Sequence, residues 1–110
     1  MAREFVIVVT VDAESQPIEH RVAGLPVSLG RDPANDVQVA SQFVSGVHAK
    51  IEEVKGRVFV RDLGSRNGTQ VVTADGAKAR VAPHALYDLS QCNSQFFLGS
   101  SVRVQVIDAA

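Results

Sequence analysis

Asp62-Leu63-Gly64-Ser65-Arg66-Asn67-Gly68-Thr69 stands between an alternating segment, Arg57-Val58-Phe59-Val60-Arg61, and the apolar pair Val71-Val72. Alternation on one side, an apolar pair on the other and a polar, glycine-rich join between them describe two strands and a turn. Asn and Gly tolerate positive φ, which the tight turns matching the twist of paired strands require, so Asn67-Gly68 is expected at a hairpin tip. Ser65 and Arg66 then stand just before the tip. A hydroxyl and a guanidinium fixed side by side can donate several hydrogen bonds to one anion, and the rigid fork of arginine suits phosphate oxygens.

Working outward, Glu4 to Val11 is a β-branched run that suits a buried strand, because such residues are stiff at χ1 and fit a pleated surface. Ile18 to Val22, Pro26 to Leu29 and Val37 to Val39 are shorter strand candidates. His48 to Val54 and Arg57 to Arg61 flank Lys55-Gly56, which reads as a hairpin. Lys78 to Val81, Leu86 to Leu89 and Gln95 to Leu98 follow, and Val102-Arg103-Val104-Gln105-Val106 alternates strictly, placing its valines in the core. No window of ten residues carries an apolar stripe at helical spacing. Only Asp32 to Asp36 and Ala82 to Tyr87 could turn helically. Strands at short, regular intervals imply an all-β fold, an antiparallel sandwich or barrel, with function on loops at one end.

The chain has 110 residues, with 11 Lys and Arg against 12 Asp and Glu, a formal net charge of -1. That length fits one domain, expected to run over 1–110. The charge balance lacks the basic field that nucleic acid or a membrane surface would attract, so any anion site must be local. The single cysteine, Cys92, has no intrachain partner, consistent with a soluble intracellular protein in a reducing compartment. His20, His48 and His84 are scattered and Cys92 has no motif partner, so no catalytic constellation, metal cluster or cofactor site is expected, and the chain does not read as an enzyme.

Two further loop segments stand out. Gly30-Arg31 ends a strand, where Gly30 lets the backbone turn or approach a neighbour closely. Gln42-Phe43-Val44-Ser45-Gly46-Val47-His48 precedes another, with Ser45 able to present a hydroxyl and His48 able to hydrogen-bond the loop backbone.

In this order, Gly30-Arg31, Ser45-Gly46-Val47-His48 and Asp62 to Thr69 resemble the motif series of the forkhead-associated (FHA) domain, most strongly over Pro26 to Val72. The resemblance implies an antiparallel two-sheet β-sandwich that binds phosphothreonine in partner proteins through loops at one end. It implies phosphate contacts from Arg31, from the hydroxyl and backbone of Ser45, and from Arg66. It implies peptide contacts from Asn67, with Ser65 and Gly46 beside it, and support of the site from Gly30, His48, Gly68 and Thr69. Gly46 sits where many members carry a polar side chain, so one family contact is absent. Asp75-Gly76 replaces an Asn-Gly-like turn, and Ser90-Gln91-Cys92-Asn93-Ser94 replaces a Gly-Asp turn, outside the phosphate contacts. The rival reading is an FHA-like sandwich that makes phosphate-independent protein contacts or dimerises through a sheet face, since fold does not settle function.

Overall fold

The computed structural model describes residues 3–109. Among them eleven strands form two sheets: β1 (Phe5–Thr10), β2 (Ile18–Val22), β3 (Val27–Gly30), β4 (Val37–Gln38), β5 (Ala49–Val54), β6 (Arg57–Asp62), β7 (Thr69–Val72), β8 (Lys78–Arg80), β9 (Leu86–Asp88), β10 (Gln95–Leu98) and β11 (Val102–Asp108). One sheet has the order β2-β1-β11-β10-β7-β8 and the other β4-β3-β5-β6-β9. The fold is the expected all-β sandwich. Its strand pairs are antiparallel except for β3 and the two-residue β4, which run parallel.

The core lies between the sheets and is filled by every second residue of the facing strands. Ile7 and Val9 of β1, Phe96 and Leu98 of β10, and Val102 and Val104 of β11 meet Val27 and Leu29 of β3, Ala49 and Ile51 of β5, and Val60 of β6, all buried. In β11 the buried valines alternate with exposed Arg103 and half-buried Gln105, as the period of two dictates. Lys55 and Gly56 have φ of 53° and 80°, and Val54 pairs with Arg57. This is the two-residue turn that both positive φ values permit, and it closes the expected hairpin.

The turn at Asn67-Gly68 corrects the sequence reading. β6 pairs onward to β9, whereas β7 pairs with β10 and β8 in the other sheet, so residues 63–68 cross between sheets and form no hairpin. Gly64 and Gly68 both take φ of +79°, but Asn67 does not enter the left-handed region. The reason is the Asp62 carboxylate, whose Oδ2 accepts from the Gly64 and Ser65 N–H groups at 3.0 Å each and turns the chain out of β6 before a hairpin can close. Neither Asp32 to Asp36 nor Ala82 to Tyr87 is helical. The helical turn among the described residues is a 3-10 helix at Leu89–Cys92, capped by the Asp88 side chain on the Ser90 N–H, with Asn93 at φ 57° closing it. Leu89, expected at a strand end, and the Ser90 to Ser94 stretch therefore coil so that Leu89 and Cys92 pack inward. No helix among the described residues is long and apolar enough to cross a membrane.

Phe96 is fully buried in the central part of the core. Phe96→Ala should lower the unfolding free energy by about 3–5 kcal/mol, as aromatic truncations in close-packed cores do. Urea denaturation reads this as a large drop in midpoint, and an unchanged midpoint would contradict the packing described.

Candidate functional site

At one end of the sandwich the loops β3–β4, β4–β5 and β6–β7 converge on a shallow pocket of about 170 Å³ lined by Arg31, Gln42, Phe43, Val44, Ser45, Gly46, Arg66 and Asn67. Of the sequence-derived candidates, Arg31, Ser45, Gly46, Arg66 and Asn67 are thus brought together. Their positions are set mainly by backbone contacts.

Gly30 ends β3 where a side chain is sterically excluded. A Cβ there would overlap the Gly46 carbonyl oxygen and lie 2.7 Å from Asn35 Nδ2. Its absence lets the two loops lie on each other, with Arg31 N–H donating to Ser45 O at 2.9 Å, Asp32 N–H to Gly46 O at 3.0 Å and Asn35 Nδ2 to the same Gly46 O at 2.6 Å. Val44 is buried as an anchor one residue before Ser45. Ser45 therefore cannot drift.

His48 is fully buried. Its Nδ1 accepts from the Ser45 N–H at 3.1 Å and its Nε2 lies 2.8 Å from Gly68 O. Because Nδ1 faces a donor and Nε2 an acceptor, the ring is neutral with its proton on Nε2. Burial pushes its pKa below the ordinary value, outweighing the hydrogen bond to Gly68 and the nearby Asp62 carboxylate that favour the charged form. His48 is placed as a brace between two loops and does not line the pocket.

The Asp62 carboxylate forms the floor beneath. Besides the two N–H groups it accepts Ser65 Oγ at 2.6 Å and Thr69 Oγ1 at 2.7 Å. Burial alone would raise its pKa, but these four hydrogen bonds hold it below the usual carboxylate value. Thr69 is buried on Asp62, and Gly68 takes a left-handed φ that a side chain would strain.

Two expectations change, and a third residue gains a role. Ser65, read as a partner for a bound peptide, is buried with its hydroxyl donated inward to Asp62, because the carboxylate that turns the chain also captures the first hydroxyl after the turn. The backbone of Ser45, read as a phosphate contact, is occupied by His48 Nδ1 at its N–H and by Arg31 N–H at its carbonyl, which leaves the hydroxyl. Asn67 donates one Nδ2 hydrogen to Phe43 O at 2.8 Å, so it ties the two loops together while its Oδ1 and second N–H remain for a ligand.

Ser45 Oγ accepts the Arg66 N–H at 3.0 Å. With a lone pair so engaged, its own proton is left to donate elsewhere. Arg31 and Arg66 are exposed, and neither guanidinium meets a hydrogen-bond or ion-pair partner among the described residues. Gly46 differs from Gly30: a Cβ there would meet nothing within 4 Å, so its missing side chain widens the pocket without being forced by packing.

Sequence reasoning missed Asn35, which lay unremarked within the possible helical turn Asp32 to Asp36 yet bridges Asp32 O and Gly46 O. It also gave Asp62 no role. An Asp followed by Leu-Gly-Ser at a strand end is itself a signal, since Asp side chains capture backbone N–H groups two and three residues on. No group of three or more His, Cys, Asp or Glu side chains that could hold a metal occurs among the described residues.

The family model that matches the chain is the FHA domain, over residues 27–94. Among solved structures, the chain is similar to the Mycobacterium tuberculosis Rv1747 FHA-1 domain, at 23% identity with 100% of each chain covered and a TM-score of 0.68. The FHA domain of the CT664 protein from Chlamydia trachomatis has 24% identity over 97% of this chain and 99% of that one, with a TM-score of 0.72. Mycobacterium tuberculosis EmbR, solved in complex with a low-affinity phosphopeptide, has 21% identity over 96% of this chain and 25% of that one, with a TM-score of 0.64. At these identities the likeness establishes the fold. No curated protein matches the sequence.

Two outcomes follow from the site's construction. Gly30→Ala should lower stability and displace the Ser45 loop, seen as amide chemical-shift changes from Ser45 to His48; a variant with unaltered shifts would contradict the close approach. The folded pKa of His48 lies below its unfolded value, so the unfolded chain binds more protons in that window. Stability conferred by neutral His48 is then fully present above the unfolded pKa of about 6.5 and is lost as pH falls below it, at no more than about 1.4 kcal/mol per pH unit. Urea denaturation at pH 7.5 and 5.5 should show this loss in the native chain and a flatter response in His48→Gln.

Proposed function

The chain belongs to the FHA domain family, whose model matches more than half of it, and from that premise we propose that it is a phosphopeptide-binding module reading phosphothreonine in a partner protein. Arg31, Ser45 and Arg66 receive the phosphate in this reading, while Asn67 and the Gly46 backbone meet the peptide. One observation carries the reading: two exposed guanidiniums without acidic partners flank a hydroxyl whose lone pair is already taken by the Arg66 N–H. The two guanidiniums and the Ser45 hydroxyl supply donors to that pocket.

A phosphorylated side chain brings about -1.5 to -2 charges and three acceptor oxygens, which two arginines and a hydroxyl match in number and sign. Gly30, His48, Gly68, Thr69 and Ser65 hold the loops and touch no ligand. FHA domains are interaction modules, and catalysis has no part in the proposal.

The test is titration of a phosphothreonine peptide library against its unphosphorylated twin. Arg31→Ala should cost about 1.5–3 kcal/mol of binding, the range for hydrogen bonds to charged groups, and Ser45→Ala should weaken binding with little change in melting temperature. Affinity should fall as pH drops from about 7.5 to 5.5, because the second phosphate pKa lies near 6. Peptides that bind equally with and without phosphate would sink the proposal and favour a phosphate-independent protein contact.

A further inference from the structure

Four of the 11 lysines and arginines of this chain are tied off. Arg3 pairs with Glu53, Arg57 with Asp88 at 2.9 Å and Arg61 with Glu52 at 2.6 Å. Lys78 donates to Ser100 O at 3.0 Å and lies 4.2 Å from the Phe97 ring centroid. Arg80, two residues on, has no hydrogen-bond or ion-pair partner among the described residues and is exposed.

Its position is nonetheless defined. A Cβ on Gly68 would overlap Arg80 Nε and lie 2.7 Å from Cζ, so the guanidinium lies against the bare Gly68 backbone. Arg80 also stands opposite Gln70 on the same strand pair. Gly68 follows Arg66 and Asn67, which line the pocket, whereas Arg80 does not line it. The Asp62 carboxylate makes no hydrogen bond to it, its oxygens being met by four donors from Gly64, Ser65 and Thr69. A third guanidinium is therefore stationed beside the phosphate pocket, across Asn67-Gly68 from it, packed by glycine and lacking an acid.

We infer that Arg80 reads a second anionic side chain of the bound peptide, so that the preferred ligand is a phosphothreonine segment with an acidic or second phosphorylated residue close by. The inference rests on the phosphothreonine reading and adds a residue that discriminates among such peptides. A side chain at position 68 would push the guanidinium away; glycine there serves Arg80 as well as the left-handed turn. Packing against Gly68 limits the rotamers that Arg80 must lose on binding, which favours recognition by a long side chain.

The experiment is calorimetric titration of the full chain with an alanine-flanked phosphothreonine peptide, with glutamate and then phosphoserine scanned singly through the flanking positions. At least one acidic position should raise affinity about two- to fivefold at low salt, the range of an exposed ion pair, and added salt should shrink the gain. The glutamate and phosphoserine arms tell whether a carboxylate or a second phosphate is the better source. Arg80→Gln should abolish the gain while leaving affinity for the alanine-flanked peptide within about twofold, and Arg80→Lys should retain part of it. A gain at no position, the same gain in Arg80→Gln, or an equal loss for the alanine-flanked peptide overturns the inference with the phosphate reading intact. Absence of any phosphate-dependent binding by the native chain overturns that reading, and the inference with it.

Discussion

A buried carboxylate is tolerated only where its oxygens are met by donors, and Asp62 meets this condition with four. Those donors come from the turn it creates and from the first residue of β7. One side chain thus ends β6, turns the chain across to the other sheet and fastens the strand on which it lands. His48 is a titratable neighbour, with Nε2 4.0 Å from Oδ1. A charged imidazolium would be attracted to it, yet burial outweighs that attraction and keeps the ring neutral. Neutrality matters geometrically: protonated Nδ1 would present a hydrogen to the Ser45 N–H, donor against donor. The shape of the Ser45 loop is therefore coupled to the protonation state of a residue that lies beneath it.

From this arrangement follows a division between the two sides of each loop. Groups that face inward are satisfied: Ser65 on Asp62, Ser45 N–H on His48, Gly46 O on Asp32 and Asn35. Groups that face outward from the same residues or their neighbours are left as donors, namely the Ser45 hydroxyl and the Arg31 and Arg66 guanidiniums. A chain of net charge -1 exerts no broad pull on anions, so attraction at this end is local and does not depend on overall charge.

The strands were legible because residue type and alternation are local properties: β11 falls where Val102 to Val106 alternate, β2 and β10 fall on the short candidates Ile18 to Val22 and Gln95 to Leu98, and Lys55-Gly56 closes its hairpin as its residue types require. What the sequence did not disclose is which sheet a strand joins. Asn67-Gly68 carries the composition of a hairpin tip, but the sheet crossing is decided by Asp62 acting on Gly64, Ser65 and Thr69, and burial of that group is a tertiary fact. The same limit explains Ser65. A serine beside an arginine on a loop reads as a pair of donors to a ligand, and only the position of the carboxylate tells that one of them points inward. Asn35 was hidden for a related reason, since its partner, Gly46 O, is eleven residues away across two loops.

The separation between Arg31 and Ser45 is fixed by main-chain hydrogen bonds at Ser45 O and Gly46 O, which the missing Cβ of Gly30 makes possible. The guanidinium stems are not fixed by any such contact, both being exposed. Exposed ion pairs are each worth only about 0–1 kcal/mol, because water screens them and long side chains lose freedom. A pocket built from exposed arginines therefore gains little from a ligand that engages one of them. It gains when one small group engages both arginines and the Ser45 hydroxyl together, so that the ordering of several donors is met by several charge-assisted bonds on a single anchor. A carboxylate has two oxygens and one charge for this purpose, whereas a phosphate dianion has three oxygens and up to two charges, and that difference favours the phosphate over a merely acidic peptide.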